Sequence, residues 1–334
     1  MRPIARPARR ALSEGRRGRV GRVVGFSGMG GRRVGEALLV TEDGVEHGSL
    51  LGPLGRPLLD EPLPAGGSAL FDLVLGDEEA VSAGLACGGR AQVLVSDLGA
   101  VPAEAWAALV AGEPVALVSR LSEPGTLAVL DQPAGRRRAV LGSLGQAATD
   151  EAAVEMAVAA LRAGRDSVRV LTDEPLGPAV LEVLMPATTL HVLGTGELVD
   201  ALAAQAALLG WSFASHSSYG QEMATALGSL ARADALVVLS HDHDIATPAL
   251  AAGLRAGCYV GALGSRHTQE ERRRRLEAAG LAPEALGRLH GPVGLDLGAR
   301  SPEETALAIA AEILAVRAGR LGESLSATSG PING

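Results

Sequence analysis

After Pro186 the chain alternates strictly between short apolar runs and helix-length segments, and this grammar leaves few folds open. Residues 190–193, 211–214, 235–239 and 258–263 read as strands, and residues 197–209 as the first intervening helix. Strands separated by helices cannot pair through tight hairpins, so the pattern predicts a parallel sheet wrapped by helices. The last helix is the best marked. Ser301 stands at the N-cap, Pro302 in the first turn and Glu304 three residues after the cap, a capping box that predicts a helix to about Arg317.

Residues 20 to about 140 follow a different grammar. Apolar runs at 22–26, 36–40, 91–95, 114–119 and 126–130 are separated by turn signals, among them Asp43-Gly44 between two strand-like runs, the signature of a hairpin. Helices are expected after Pro102 and over 150–163, the second leading to a strand at 168–171. The expected fold class is α/β: a mixed α+β N-terminal domain with a largely antiparallel sheet, followed by the parallel-sheet domain.

A length of 334 residues gives each domain enough chain to bury its own core. We expect a basic, mobile tail at 1–19, domains at 20–185 and 186–320, and an unstructured tail at 321–334. All 30 basic residues are arginine, and ten of them face two glutamates within residues 1–40, a local charge of +8 that leaves −16 for the remainder. Such a run reads as a solvated tail or as a surface for an acidic partner. The net charge of −8 and only seven aromatic residues argue against nucleic acid. No apolar run reaches the roughly 18 residues that span a bilayer, and residues 1–22 lack the apolar core of a signal peptide. Two cysteines cannot build a disulfide framework, which fits a reducing compartment and predicts a cytoplasmic protein.

Several loops carry chemistry. Gly194-Thr195-Gly196 follows a strand and opens a helix, the setting in which helix amides receive a phosphate. Val199 stands where the dinucleotide-binding motif has its third glycine, and Ser215-His216 stand where an acid would bind ribose, so NAD(P) is not expected. His241-Asp242-His243 follows a strand and reads as a divalent metal site, a polar loop lining the ligand crevice, or a turn opening the next helix. Gly264-Ser265-Arg266 offers amides, a hydroxyl and a guanidinium to an anion. The stretch 291–298, with Gly294 and Asp296, adds a fourth loop at the same sheet edge. In the first half, Cys87 before Gly88-Gly89 reads either as a small buried residue or as a soft metal ligand or reactive thiolate.

In order, these pieces resemble the XdhC/CoxI family, accessory factors of xanthine dehydrogenase and carbon monoxide dehydrogenase. The likeness rests on Gly35 to Val40 with Asp43-Gly44 and Gly48-Ser49, on residues 85–89 and 142–145, and on the C-terminal loops with Tyr259 to Arg266, residues 291–298, Ser301 to Glu304 and Ala311-Glu312-Ile313. The resemblance implies a Rossmann-like second domain and a cytoplasmic, non-catalytic chaperone that binds molybdenum cofactor (molybdopterin). It further implies sulfuration with a cysteine desulfurase, insertion into the apoenzyme of a molybdenum hydroxylase, and room for a homodimer. The cofactor-binding residues it implies are Cys87, which would also be the metal ligand, Gly88, Gly89, Gly194, Gly196, His241, Asp242, His243, Gly264, Ser265, Arg266, Gly294 and Asp296. The sequence departs from the family where Leu54 and Arg56 replace a cysteine and a glutamate, and where Glu197 replaces a histidine. A soft thiolate is lost at the first of these. An NAD(P)-dependent oxidoreductase and a cofactor-free scaffold for the hydroxylase remain as alternatives.

Overall fold

In the computed structural model the arginine-rich N-terminus is a helix, α1 (Arg2–Ser13), and not the mobile tail that its charge predicts. Ile4, Ala5, Ala8 and Ala11 recur at helical spacing and are buried, which leaves Arg6, Arg9 and Arg10 exposed on the outer face. Arg2 turns inward, and its guanidinium donates to the carbonyls of Leu109, Glu113, Leu184 and Met185 at 2.8–3.3 Å. A stripe made mostly of alanine carries little hydrophobic signal beside so many charges, so the sequence hid it. The structure describes residues 1–28, 35–64, 67–82, 88–121, 124–130, 139–173, 175–218 and 220–329. The chain divides into two compact units, Met1–Pro186 and Ala187–Gly334.

Beyond α1, the first unit runs through β1 (Gly18–Gly28), β2 (Ala37–Thr41), β3 (Glu46–Ser49), β4 (Ser68–Leu75), α2 (Asp77–Ser82) and β5 (Gly89–Asp97). These strands form a five-stranded sheet in the order β3-β2-β1-β5-β4, with every pair antiparallel. The β2–β3 hairpin turns at Asp43-Gly44 as its sequence signal predicts: Gly44 has φ +80°, and its N–H donates to the Thr41 carbonyl at 2.8 Å. Next come α3 (Ala103–Ala111), β6 (Val115–Arg120), β7 (Thr126–Leu130), β8 (Ala139–Ser143), α4 (Ala147–Arg162), β9 (Ser167–Leu171) and β10 (Ala179–Leu184). They add a second antiparallel five-stranded sheet, ordered β8-β7-β6-β10-β9.

The single sheet expected for this half is thus two. The second is completed by β10, an apolar run just before Pro186 that the strand count passed over. One core cluster joins α1 and the fully buried Trp106 of α3 to strands of both sheets. Arg22 on β1 and Glu182 on β10 form a buried ion pair at 3.1 Å.

The second unit runs through β11 (Thr189–Leu193), α5 (Glu197–Leu208), β12 (Ser212–His216), α6 (Gln221–Gly228), β13 (Ala235–Val238) and α7 (His243–Ala256). It continues with β14 (Tyr259–Ala262), α8 (Arg266–Ala278), α9 (Pro283–Leu286), β15 (Leu289–His290) and α10 (Pro302–Ala318). Its sheet has the order β12-β11-β13-β14-β15, and every pair is parallel, as the alternation of elements predicts. Leu202 of α5 and Ile309 of α10 pack with one set of strand residues, and Leu250 of α7 and Leu276 of α8 with another. The strand order changes direction between β11 and β13, the position where open parallel sheets bind ligands beyond their carboxyl ends. Residues 321–329 are exposed and carry one short turn at Leu325–Ala327, while the rest of the expected tail lies outside the described residues. Among the described residues, no helix is long and apolar enough to cross a membrane.

Candidate functional site

The turns at the carboxyl edge of the parallel sheet are tied to one another by the backbone. His216 accepts from Gly194 N–H at 2.9 Å, Leu193 from Leu239 at 2.8 Å, Val238 from Leu263 at 2.9 Å and Ala262 from Val293 at 3.1 Å. The loops that begin at Gly194, Ser240, Gly264 and Gly291 therefore share one edge because each strand ends against its neighbour's turn.

Both glycines of the first loop have a physical reason to be there. A Cβ on Gly194 would lie 2.7 Å from Cβ of Leu239, so only glycine lets the two loops approach this closely. Gly196 is the N-cap of α5 at φ +100°, with open space where a side chain would project. Glu197 and Asp200 occupy the first turn of α5. They suit the helix dipole but set negative charge where a phosphate would arrive. Val199 is buried in the core, and β12 ends in Ser215-His216 without a carboxylate.

Of the readings for His241-Asp242-His243, the turn that opens a helix matches the geometry. Asp242 is the N-cap of α7 and accepts from Asp244 N–H at 2.9 Å, while His241 is exposed. His243 is half-buried, and its Nδ1 is buried without a hydrogen-bond partner. Among the described residues, no group of three or more His, Cys, Asp or Glu side chains could hold a metal ion. Ser265 caps α8 by accepting from Thr268 N–H at 3.3 Å, which leaves Arg266 exposed at the first position of that helix.

The group that organises this edge is Arg272, which the sequence reading passed over inside a run of four arginines. Its side chain is 1% exposed. It donates to the Ser240 carbonyl at 2.7 Å and to the Leu263 carbonyl, so one guanidinium holds the turns after β13 and β14 together. Burial pulls its pKa below the usual arginine value. Gln269, one turn earlier on α8, adds bonds to the carbonyls of Ala262 at 3.0 Å and Gly264 at 3.3 Å. The signal was helical phase: Gln269, Arg272 and Leu276 fall on one face of α8, and all three are buried.

The fourth loop is held by Glu312 of α10. Its carboxylate accepts from Gly294 N–H at 2.8 Å and from the Tyr259 hydroxyl at 2.5 Å, and it meets His290 Nδ1 at 3.1 Å. The Tyr259 and His290 rings stack at 4.7 Å. Burial pushes the Glu312 carboxyl up, but these three partners outweigh it and hold the group below its usual value. Burial beside that carboxylate drives the Tyr259 hydroxyl far above its ordinary range. Gly294 is thus a loop anchor, whereas Asp296 is exposed and makes no hydrogen bond among the described residues. On the neighbouring strands, the rings of His191 and His216 are parallel with centroids 6.5 Å apart, and burial lowers the pKa of His191.

In the first unit, Gly88 N–H donates to Asp77 at 2.8 Å, and a Cβ there would meet the Leu75 carbonyl at 2.5 Å. Gly89 opens β5. Cys87 lies outside the described residues. Leu54 packs against the apolar cluster of the first sheet, and Arg56 is committed to Glu46 and Asp60, each at 2.7 Å. Cys258 is buried, and burial pushes its thiol up to about 12, which leaves it a packing residue.

A family model described as the XdhC Rossmann domain matches residues 190–313, a span that contains all of the edge loops above. Residues 190–313 are therefore an XdhC-type Rossmann domain. Among curated proteins it is similar to the uncharacterized protein YqeB of Escherichia coli strain K12, with 42% identity over 59 residues, 18% of this chain and 11% of that protein. The chain thus matches only about a tenth of the length of that relative. Among solved structures it is similar to a crystal structure of a xanthine dehydrogenase from Bacillus halodurans, with a TM-score of 0.56 and 19% identity over 97% of both chains. At that identity the likeness is one of fold.

Proposed function

We propose that this chain is a non-catalytic accessory factor of the XdhC family that binds molybdenum cofactor at the carboxyl edge of its parallel sheet and delivers it to a molybdenum hydroxylase. The observation that carries the reading is the coincidence of the XdhC Rossmann domain with a sheet edge whose turns are locked together by Arg272 and Glu312. A buried cation beneath the loops and a capped helix start bearing an exposed arginine suit the phosphate of a pterin. Gly264, Ser265 and Arg266 would hold that phosphate, because Glu197 and Asp200 disfavour the start of α5. Gly194, Gly196, His243 and Gly294 would shape the rest of the crevice. The bound group supplies molybdenum chemistry to the hydroxylase, and this chain supplies recognition.

The sulfur ligand that the family resemblance implies is Cys87, whereas Cys258 is buried and Leu54 has no donor atom. A cysteine desulfurase fits as the source of sulfur for the cofactor. An NAD(P)-dependent reading is disfavoured by buried Val199 and by the missing acid after β12. The test is co-purification of molybdenum and pterin with the wild type, Cys87→Ser and Arg266→Ala, together with capture of the apo-hydroxylase and calorimetry with NAD and NADP. We expect metal and pterin on the wild type, loss of metal in Cys87→Ser, and about ten- to a hundredfold weaker retention in Arg266→Ala. Tight NAD or NADP binding would overturn the proposal. Capture of the hydroxylase by metal-free wild type would leave the scaffold role alone.

A further inference from the structure

We propose that the groove between α1 and the β2–β3 hairpin is a docking site for an acidic segment of a protein partner. The groove encloses about 430 Å3 and is lined by Arg6, Arg10, Arg16 and His47 together with apolar Ala11 and Val45, and no acidic side chain lines it. It belongs to the first unit and does not depend on cofactor binding by the second.

Three observations define the occupant. The first is that this surface already takes carboxylates. Glu14 at its rim pairs with Arg10 at 2.8 Å and with Arg16, and Asp43 pairs with Arg16 at 3.1 Å. Arg6 and, beside it on the same helix, Arg9 are exposed and have no carboxylate partner among the described residues, so they are the positions a partner's acids would fill. The second is rigidity. With Ile4, Ala5, Ala8 and Ala11 in the core and Arg2 tied to four carbonyls, the arginines project from a fixed helix rather than a mobile tail, and less entropy is lost on binding. The third is contrast in charge. Arg6, Arg9, Arg10 and Arg16 outnumber Glu14 and Asp43 on this surface in a chain of net −8, so an acidic partner is favoured here over the acidic remainder of the chain.

The layout favours a polypeptide over a compact anion. Arg6 and Arg10 are one helical turn apart, about 5–6 Å, and Arg10 is already engaged by Glu14. A single phosphate would therefore find few free donors, whereas an extended acidic chain with about 3.3 Å per residue can follow the row while its stem covers Ala11 and Val45.

The test uses the full chain and a fluorescein-labelled peptide of alternating Glu and Asp, about a dozen residues long, followed by fluorescence anisotropy. We expect saturable binding that weakens at least about tenfold in Arg6→Glu/Arg10→Glu, and again when salt rises from about 50 to about 300 mM. Arg6→Gln/Arg10→Gln should give a smaller loss in the same direction, with an unchanged melting temperature because both side chains are exposed. Absence of peptide binding, or equal binding by the wild type and both variants, overturns the proposal. So does displacement of the peptide by millimolar inorganic phosphate, which would reveal a simple anion site. Tighter, Arg6-dependent binding of a thymidine dodecamer would assign the groove to nucleic acid instead.

Discussion

The two units bury cationic side chains for opposite purposes. In the first, all strand pairs are antiparallel, turns leave at both ends of each sheet, and the buried arginine, Arg22, faces a buried carboxylate between strands of the two sheets. In the second, all pairs are parallel, the turn after every strand falls at one edge, and the buried arginine, Arg272, holds neutral carbonyls of those turns. Antiparallel topology scatters its loops and puts polar chemistry inside, whereas parallel topology gathers its loops and puts polar chemistry beneath a potential ligand. The consequence is energetic as well as geometric: removing Arg22 strands a charge, and removing Arg272 strands only dipoles.

That difference sets the largest expected effect. Arg22→Leu should destabilise the protein by about 3–5 kcal/mol, because Glu182 is left buried and uncompensated. The Arg22→Leu/Glu182→Leu double variant should recover most of the loss, since a buried pair replaced by packed hydrophobes is often neutral. The pair is 3.1 Å apart, yet none of the Arg22 nitrogens makes an aligned hydrogen bond, which strengthens the expectation of recovery. Urea unfolding of both variants decides it. A double variant as unstable as the single one would show that the pair specifies the packing rather than merely tolerating burial.

The second effect is smaller. Arg272→Met keeps most of the side-chain volume but leaves the Ser240 and Leu263 carbonyls without their shared donor, a loss of about 2–3 kcal/mol. The loss should be local. Amide exchange should accelerate in residues 239–243 and 263–268 while β11, in the same unit, stays protected. Uniform acceleration throughout the second unit would mean that Arg272 holds the fold itself and not only its edge.

These cases also show which features of the chain were legible. Strand–helix alternation after Pro186 predicted the parallel sheet because each period of the pattern spans a whole element, and neighbouring errors do not compound. The N-terminal helix was missed because Ala5, Ala8 and Ala11 are weak signals beside arginine, although their spacing with Ile4 is helical. β10 was missed because Glu182 interrupts an apolar run that is otherwise a plain buried strand. At the edge of the parallel sheet the sequence identified the turns but not what fastens them. Glycines announce themselves by where backbone freedom is needed, whereas Arg272 looks like the three exposed arginines after it until helical phase is taken into account. Glu312 was noticed only as part of a family resemblance, and its bonds to Gly294 and Tyr259 depend on a contact between α10 and a loop that no local pattern encodes.

The smallest expected effect tests a feature that was fully legible. Ser301 accepts from Glu304 N–H at 3.2 Å, and Glu304 accepts in return from Ser301 N–H at 3.2 Å and Arg300 N–H at 2.7 Å. Ser301→Ala removes one side of this box and should cost about 1 kcal/mol, with Glu304→Gln costing less because an amide oxygen still accepts. The damage should stop within the first turn of α10, since Glu312 lies about three turns further along and is held by its own partners. Thermal unfolding should therefore register Ser301→Ala, while the Tyr259 hydroxyl resonance, which reports its bond to Glu312, should not move. A shift of that resonance would show that the start of α10 and the loop at Gly294 behave as one unit, and the edge of the parallel sheet would then extend to the capping box itself.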